Sequence, residues 1–239
     1  MDVTTATTEQ KEHDRELAER GARELADASA EEIVRWAFEH VDGKIAVASN
    51  MQDAVLVDVV TKVKPDVDVI FLDTGYHFAE TLGVRDAVPL VYPEVRIVNL
   101  APRLSVAEQD EALGKDLFAR DPGECCRLRK VVPLTDGLAN YRAWITGIRR
   151  VESPTRANAP KVTYDDAFGL VKFNPIVMWD DEEFAAYANQ HGVLVNPLVE
   201  EGYPSIGCAP CTHKPLPGAD PRSGRWAGFA KTECGLHQG

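Results

Sequence analysis

Five cysteines stand where their spacing suggests chemistry: an adjacent pair, Cys125-Cys126, a Cys208-Ala-Pro-Cys211 pair, and Cys234 close to the end of a 239-residue chain. Four thiolates suit a four-iron four-sulfur cluster or a structural zinc, because both accept shells made of cysteine alone. Zinc sites commonly use two spaced pairs. Adjacent cysteines close a chelate around one small ion poorly, whereas a cluster can take the two thiolates on different irons. Buried, unligated cysteines packing as small hydrophobes are the plain alternative. Cys234 lies in Lys231-Thr-Glu-Cys-Gly-Leu-His237. As a thiolate it would be a nucleophile, a state that Lys231 and His237 favour and Glu233 opposes. Read by itself, it is better taken as an exposed tail cysteine.

The second set is cationic. Residues 127–161 hold eight Lys/Arg against two Asp/Glu, whereas residues 1–40 hold five against eleven. Arg127, Arg129, Lys130, Arg149, Arg150 and Arg156, with Arg222 and Arg225 further on, could bind an anion of high charge density, since a guanidinium offers planar donors matched to phosphate and sulfate oxygens. Singly, each is an ordinary surface charge. Trp226, beside Arg225, would anchor the chain there or pack in the core. The net charge of -12 and pI near 5.0 argue against a duplex nucleic-acid binder. A local basic stretch in an acidic protein points to a small anionic ligand.

Elements must position these groups. Lys44–Ser49, Val67–Asp73, Val95–Leu100 and Ala143–Ile148 are short, mostly apolar and rich in β-branched residues, as buried strands tend to be. Helical composition lies between them, notably over Gln52–Lys64, so a parallel α/β sheet with right-handed crossovers is expected. Ser29-Ala-Glu-Glu32 forms a capping box, and Asp180–Glu183 repeats it, opening a helix that stops near His191-Gly192. Residues ahead of Ser29 are expected to make a mobile acidic helix at best. After Pro197 the Gly, Pro and Cys content predicts a loop-rich arm. Ligands of open α/β sheets sit beyond strand carboxyl ends. That directs attention to Ser49-Asn-Met-Gln-Asp53, where a hydroxyl and backbone N–H groups at a helix start favour a phosphate, and to Leu72-Asp-Thr-Gly75. A plain N-cap and a plain turn are the alternatives. There is no repeat, no secretory leader and no apolar run of membrane-spanning length, so a cytoplasmic protein with reduced thiols is expected.

The segments Cys-Cys-Arg-Leu-Arg-Lys-Val-Val-Pro-Leu (125–134), Thr-Gly-Ile-Arg-Arg (146–150), Gly-Cys-Ala-Pro-Cys-Thr (207–212), Arg-Ser-Gly-Arg-Trp (222–226) and Glu-Cys-Gly-Leu-His (233–237) resemble the assimilatory adenylyl-sulfate reductases, as does Leu72-Asp-Thr-Gly-Tyr-His-Phe-Ala-Glu-Thr81. The resemblance runs from about residue 44 to the end. It implies a Rossmann-like sheet of the adenine nucleotide alpha hydrolase (PP-loop) type with a loop-rich C-terminal arm, divided as an N-terminal helical arm (1–40), a nucleotide-binding domain (41–206) and a catalytic arm (207–239). It also implies reduction of adenosine 5′-phosphosulfate to sulfite and AMP through a Cys S-sulfonate, with thioredoxin as reductant, in sulfate assimilation.

By the same resemblance one 4Fe-4S cluster falls on Cys125, Cys126, Cys208 and Cys211, and the nucleophile on Cys234 with His237 nearby. Lys130 would approach cluster and substrate, Arg149, Arg222 and Arg225 the phosphosulfate, Ser49 and Asp53 the nucleotide, and Leu72 the adenine. Asn50-Met51-Gln52 departs from the aromatic and acidic residues many members carry, and an ATP-cleaving SGGxDS loop is absent. Rival readings are a nucleotide-dependent sulfurtransferase acting on tRNA, which would need that loop and a basic surface, and a metal-binding redox sensor in which Cys234 is incidental. No nucleic acid or membrane partner is expected, and a homo-oligomer is left open.

Overall fold

The computed structural model describes residues 8–229, 231 and 236. In chain order the principal elements are α1 (Thr8–Glu24), α2 (Ala30–His40), β1 (Ile45–Ala48), α3 (Val55–Thr61), β2 (Asp68–Leu72), α4 (Ala79–Val91), β3 (Arg96–Leu100), α5 (Val106–Leu113), α6 (Leu117–Arg120), α7 (Pro122–Cys126), α8 (Val132–Leu138), β4 (Ala143–Thr146), β5 (Val162–Asp165), β6 (Leu170–Phe173), α9 (Asp181–His191) and α10 (Pro197–Glu200). The strands form one sheet in the order β3-β2-β1-β4-β6-β5, parallel throughout except for β5, which runs antiparallel to β6.

Side chains of period two divide the core between the faces. Ile45 and Val47, Val69 and Phe71, and Ala143 and Ile145 join α2 and α3 in one apolar cluster. The intervening Ala46, Ile70 and Trp144 face Leu134 and Leu138 of α8 in another. Both faces are therefore covered, which is why these strands read as apolar runs rather than as alternations. The capping boxes at Ser29/Glu32 and Asp180/Glu183 are present, and α9 ends on Gly192 in the left-handed region (φ 58°). The strands expected at 44–49, 67–73 and 143–148 end a residue or two early, that at 95–100 ends at Leu100 as expected, and the helix expected over Gln52–Lys64 begins only at Val55, because Asp53 bridges to Val195 in extended pairing.

The N-terminal residues depart from expectation. Helix α1 packs against the β5–β6 hairpin, its buried Asp14 accepting two hydrogen bonds from the Arg142 guanidinium at 2.8 and 3.0 Å, while the Arg15 guanidinium lies 4.3 Å from the Tyr164 ring centre. The hairpin itself was not expected. Its turn is built by Asp165, whose carboxylate accepts from Ala167 N at 3.1 Å, and by Gly169 at φ 69°.

Candidate functional site

Strand order reverses between β1 and β4, and their carboxyl ends therefore diverge to leave a crevice, the general ligand position of open α/β sheets. A cavity of about 480 Å³ opens there. Ser49, Asp53, Leu72, Lys130, Arg149, Arg222 and Arg225, singled out from separate stretches of sequence, all line it. Its apolar part is Ile70, Leu72, Leu134 and Trp144.

The loop leaving β1 spends its own polar groups. Ser49 Oγ accepts from Met51 N (3.2 Å), Asn50 Oδ1 from Gln52 N (3.1 Å) and Asp53 Oδ1 from Val55 N (3.0 Å), and Ala54 N donates to Leu194 O (2.8 Å). Met51 takes φ 59° with its side chain fully buried. These N–H groups are turned to partners within the protein and do not form an open phosphate cradle, while Lys130, Arg149, Arg222 and Arg225 line the cavity. Gln52 ties the loop to the arm, accepting from Ile206 N (2.8 Å) and donating to Pro204 O (3.3 Å). Burial pushes the Asp53 carboxyl up to about 6, with Glu152 adding to the rise and Arg149 opposing it.

Beside this cavity is a smaller pocket lined by Cys125, Cys126, Cys208 and Cys211. The first two end α7, which continues into a π-helical turn (Arg127–Val131) before α8. Pro133 explains the turn, since it has no N–H to donate to the carbonyl four residues back, and such turns re-aim side chains at functional sites. Arg129 and Lys130 sit on it. Arg129 is buried and donates to Thr74 O (2.5 Å) and Gln109 Oε1 (3.0 Å), its guanidinium 5.2 Å from the Tyr76 ring centre. Asp73-Thr74-Gly75 is a turn, with Asp73 Oδ1 accepting from Gly75 N (3.1 Å), and it aims the Thr74 hydroxyl at Cys208 Sγ (3.3 Å). Burial pushes the Cys125 thiol up to about 12 and Cys211 up to about 11, and in both cases neighbouring thiols of the set raise it further. Among the described residues no three His, Cys, Asp or Glu side chains converge on a position for a single ion.

Residues 204–226 close the cavity on the side that adjoins the cysteine pocket. Trp226 is buried at φ 48°, and its N donates to Cys211 O (3.0 Å). The Arg225 guanidinium lies 4.6 Å and Lys231 Nζ 5.6 Å from its ring centre. Arg225 and Arg222 donate to Ser205 Oγ at 3.1 and 3.4 Å. Gly207 allows this approach, because a Cβ there would collide with the Arg225 guanidinium. Arg149 is bracketed by Asp181 (2.9 Å) and Glu152 (3.5 Å), with the Phe184 ring centre 4.4 Å away. Cys234 and His237 lie outside the described residues; Leu236 between them lines the cavity. Sequence reading singled out the Leu72–Gly75 segment that holds Thr74 but missed Glu152 and Ser205, which line the cavity. Ser205 takes its role from partners distant in sequence, although Glu152 between the flagged Arg149 and Arg156 was a usable signal.

Comparison with known proteins agrees with this geometry. Residues 44–214 match the phosphoadenosine phosphosulfate reductase domain model. The chain is 70% identical to the adenosine 5′-phosphosulfate reductase of Mycolicibacterium smegmatis, over 99% of this chain and 98% of that one. The phosphoadenylyl-sulfate reductase of Candida auris, solved as a phosphate complex, superposes with a TM-score of 0.69 at 26% identity, covering 87% of this chain and 98% of that one. The FMN adenylyltransferase of Candida glabrata shares the fold alone, with a TM-score of 0.54 at 13% identity over 86% of this chain and 75% of that one. A crevice at the reversal of strand order, lined with cations and adjoining four cysteines, thus sits in a chain that belongs to the phosphoadenosine phosphosulfate reductase domain family.

Proposed function

We propose that this enzyme reduces adenosine 5′-phosphosulfate to sulfite and AMP, with Cys234 as the nucleophile. The observation that carries the reading is that Lys130 and Trp226 line both the cavity and the cysteine pocket, so an anion bound among Lys130, Arg222 and Arg225 lies beside the four thiols. The substrate of the Mycolicibacterium relative, carrying one densely charged end and one flat base, suits a cavity cationic at one side and apolar at the other.

Cys125, Cys126, Cys208 and Cys211 would hold a four-iron four-sulfur cluster. Four thiols lining one pocket and raising one another ionise together only with a cation among them, and the adjacent Cys125-Cys126 pair suits a cluster, which can take two thiolates on different irons, better than one zinc. When bound, the cluster supplies a field beside the sulfate and a staple between arm and core. Cys234 thiolate attacks the sulfuryl sulfur, the bond from sulfur to the phosphate oxygen breaks, and AMP leaves with that electron pair. Lys130 and the arginines offset the charge gathering on the departing oxygen. The protein is left as Cys234 S-sulfonate. One thiol of a dithiol protein, thioredoxin by the family resemblance, attacks Cys234 Sγ and displaces sulfite; its second thiol then resolves the mixed disulfide, regenerating Cys234 as the reductant is oxidised. His237 lies close in sequence and is proposed to assist the thiolate, with residues 207–239 acting as the catalytic arm of a cytoplasmic enzyme.

Cys234→Ser is expected to abolish sulfite release while still binding AMP, and the native protein mixed with substrate before reductant is expected to gain one sulfonate at Cys234 by mass spectrometry. Turnover surviving the substitution would sink the assignment. Anaerobically prepared protein is expected to carry about four iron and four sulfide per chain, and Cys211→Ala to lose most of both.

A further inference from the structure

Ser205 stands on the cavity wall made by residues 204–207, and one side chain holds the backbone on both sides of it. Gln52, from the loop leaving β1, accepts from Ile206 N at 2.8 Å and donates to Pro204 O at 3.3 Å. Ile206 itself is buried. The residue between those two contacts is therefore fixed at the cavity before any ligand arrives, which is the condition for a hydrogen-bonding group to act without reorganising.

Its hydroxyl meets two guanidiniums at once. Arg225 Nη1 donates to Ser205 Oγ at 3.1 Å and Arg222 Nη1 at 3.4 Å, and both arginines line the same cavity. A hydroxyl has two acceptor positions and one hydrogen. With both acceptor positions turned to cations, the hydrogen has to point elsewhere, and a guanidinium has no acceptor to receive it. Among the described residues no hydrogen bond has Ser205 Oγ as its donor. Two positive donors also polarise the hydroxyl, which strengthens what it gives to an acceptor. Positive charge on both sides disfavours a cation as the partner and favours an oxygen of an anion. We propose that Ser205 is a further substrate-contacting residue, whose hydroxyl donates its hydrogen to an oxygen of the phosphosulfate group. This rests on the reading of the cavity as the adenosine 5′-phosphosulfate site, and it sets a neutral donor between two charged ones at the anionic end of the substrate.

The test uses the whole protein carrying Cys234→Ser, so that the activated sulfate can be titrated without reacting. Adenosine, AMP and adenosine 5′-phosphosulfate are titrated by calorimetry with and without Ser205→Ala. A hydrogen bond to an ionised group is worth about tenfold to a hundredfold in affinity. Ser205→Ala is therefore expected to weaken adenosine 5′-phosphosulfate by about tenfold or more, while adenosine, which brings the base and sugar without the anion, stays within about twofold. AMP weakened to the same degree assigns the hydrogen to the phosphate, and AMP unchanged assigns it to the sulfuryl group; both outcomes support the contact. Separate Arg222→Ala and Arg225→Ala backgrounds distinguish a contact from mere positioning of the arginines. In each, the loss caused by Ser205→Ala is expected to keep most of its size, because a group that touches the ligand directly does not need the neighbouring cation to do so. A loss smaller than about tenfold, an equal loss for adenosine, or a loss that falls away in the arginine backgrounds would overturn the proposal. Native protein with no affinity for the activated sulfate would instead fail the reading of the cavity, so the two failures are told apart without turnover.

Discussion

Lys130 is the side chain on which two sites meet. It lies on the π-helical turn directly after the adjacent cysteines, and that turn brings it to the wall between cavity and cysteine pocket. On the proposed mechanism an ammonium held there would act where charge develops on the leaving phosphate oxygen, so its loss should fall on the chemical step. Lys130→Ala is expected to lower kcat/KM by about a hundredfold to a thousandfold while AMP affinity changes far less, measured by single-turnover sulfite release and AMP titration. Asp53 gives a second residue-scale prediction. Its carboxyl titrates near 6 in the folded chain against 3.8 ordinarily, so the folded state binds this proton more tightly. Its contribution to stability is greatest below 3.8, falls as pH rises toward 6, and stays level above that. Asp53→Asn, whose side-chain oxygen can still accept from Val55 N, is expected to remove that segment of the stability profile and to unfold at higher denaturant than the native chain at pH 8, read by urea melts across pH. The cysteines, lysine and arginines that line the cavity and the cysteine pocket were legible in sequence because those residue types announce themselves. Glu152 and Ser205 did not, because a hydroxyl or a carboxylate acquires its meaning only from what the fold brings against it.

Among elements, β1, β2 and β4 were readable because their faces are buried, and their apolar runs have few other uses. The β5–β6 hairpin was not. Its strands are four residues each, and β6 contains Lys172, a residue that argues against a buried strand until its partners are known: Asp165 at 3.4 Å and the Trp144 ring centre at 4.9 Å. Burial holds that lysine below its usual range. The loop after β1 was misjudged for a related reason, since the pairing of Asp53 with Val195 and the tie from Gln52 to residues 204–206 delay the helix. Helix α8, which carries Leu134 to the cavity, lies tight on β3 because Gly137 has no side chain; a Cβ there would overlap Leu100. Gly137→Ala is expected to destabilise the fold by about 1–3 kcal/mol through that overlap, against the small gain alanine brings to an unpacked helix position. Chemical denaturation measures it, and a neutral or stabilising result would mean that α8 can shift away from β3 freely.

At the scale of the molecule, the sheet holds the cavity at one edge of the strands while α1 covers the hairpin at the sheet's far end. The two regions share no lining residue, so they are separable by substitution. The connection of α1 to the rest centres on one buried carboxylate: Asp14 accepts both short bonds from Arg142, whose residue follows directly on the loop preceding β4. Asp14→Ala leaves Arg142 without that partner but still partly exposed to water, so the loss is closer to that of charge-assisted hydrogen bonds than to that of a buried ion, about 1.5–3 kcal/mol. Because the bonds join α1 to the sheet rather than holding the sheet together, the loss should appear first as local opening. Hydrogen exchange is expected to speed up over residues 8–24 and 162–173 while the strands β1, β2 and β4 keep their protection, and AMP affinity is expected to stay within about twofold of native, well under the tenfold that 1.4 kcal/mol represents. Acceleration spread evenly over the sheet would instead mean that α1 is integral to the folding of the sheet as a whole.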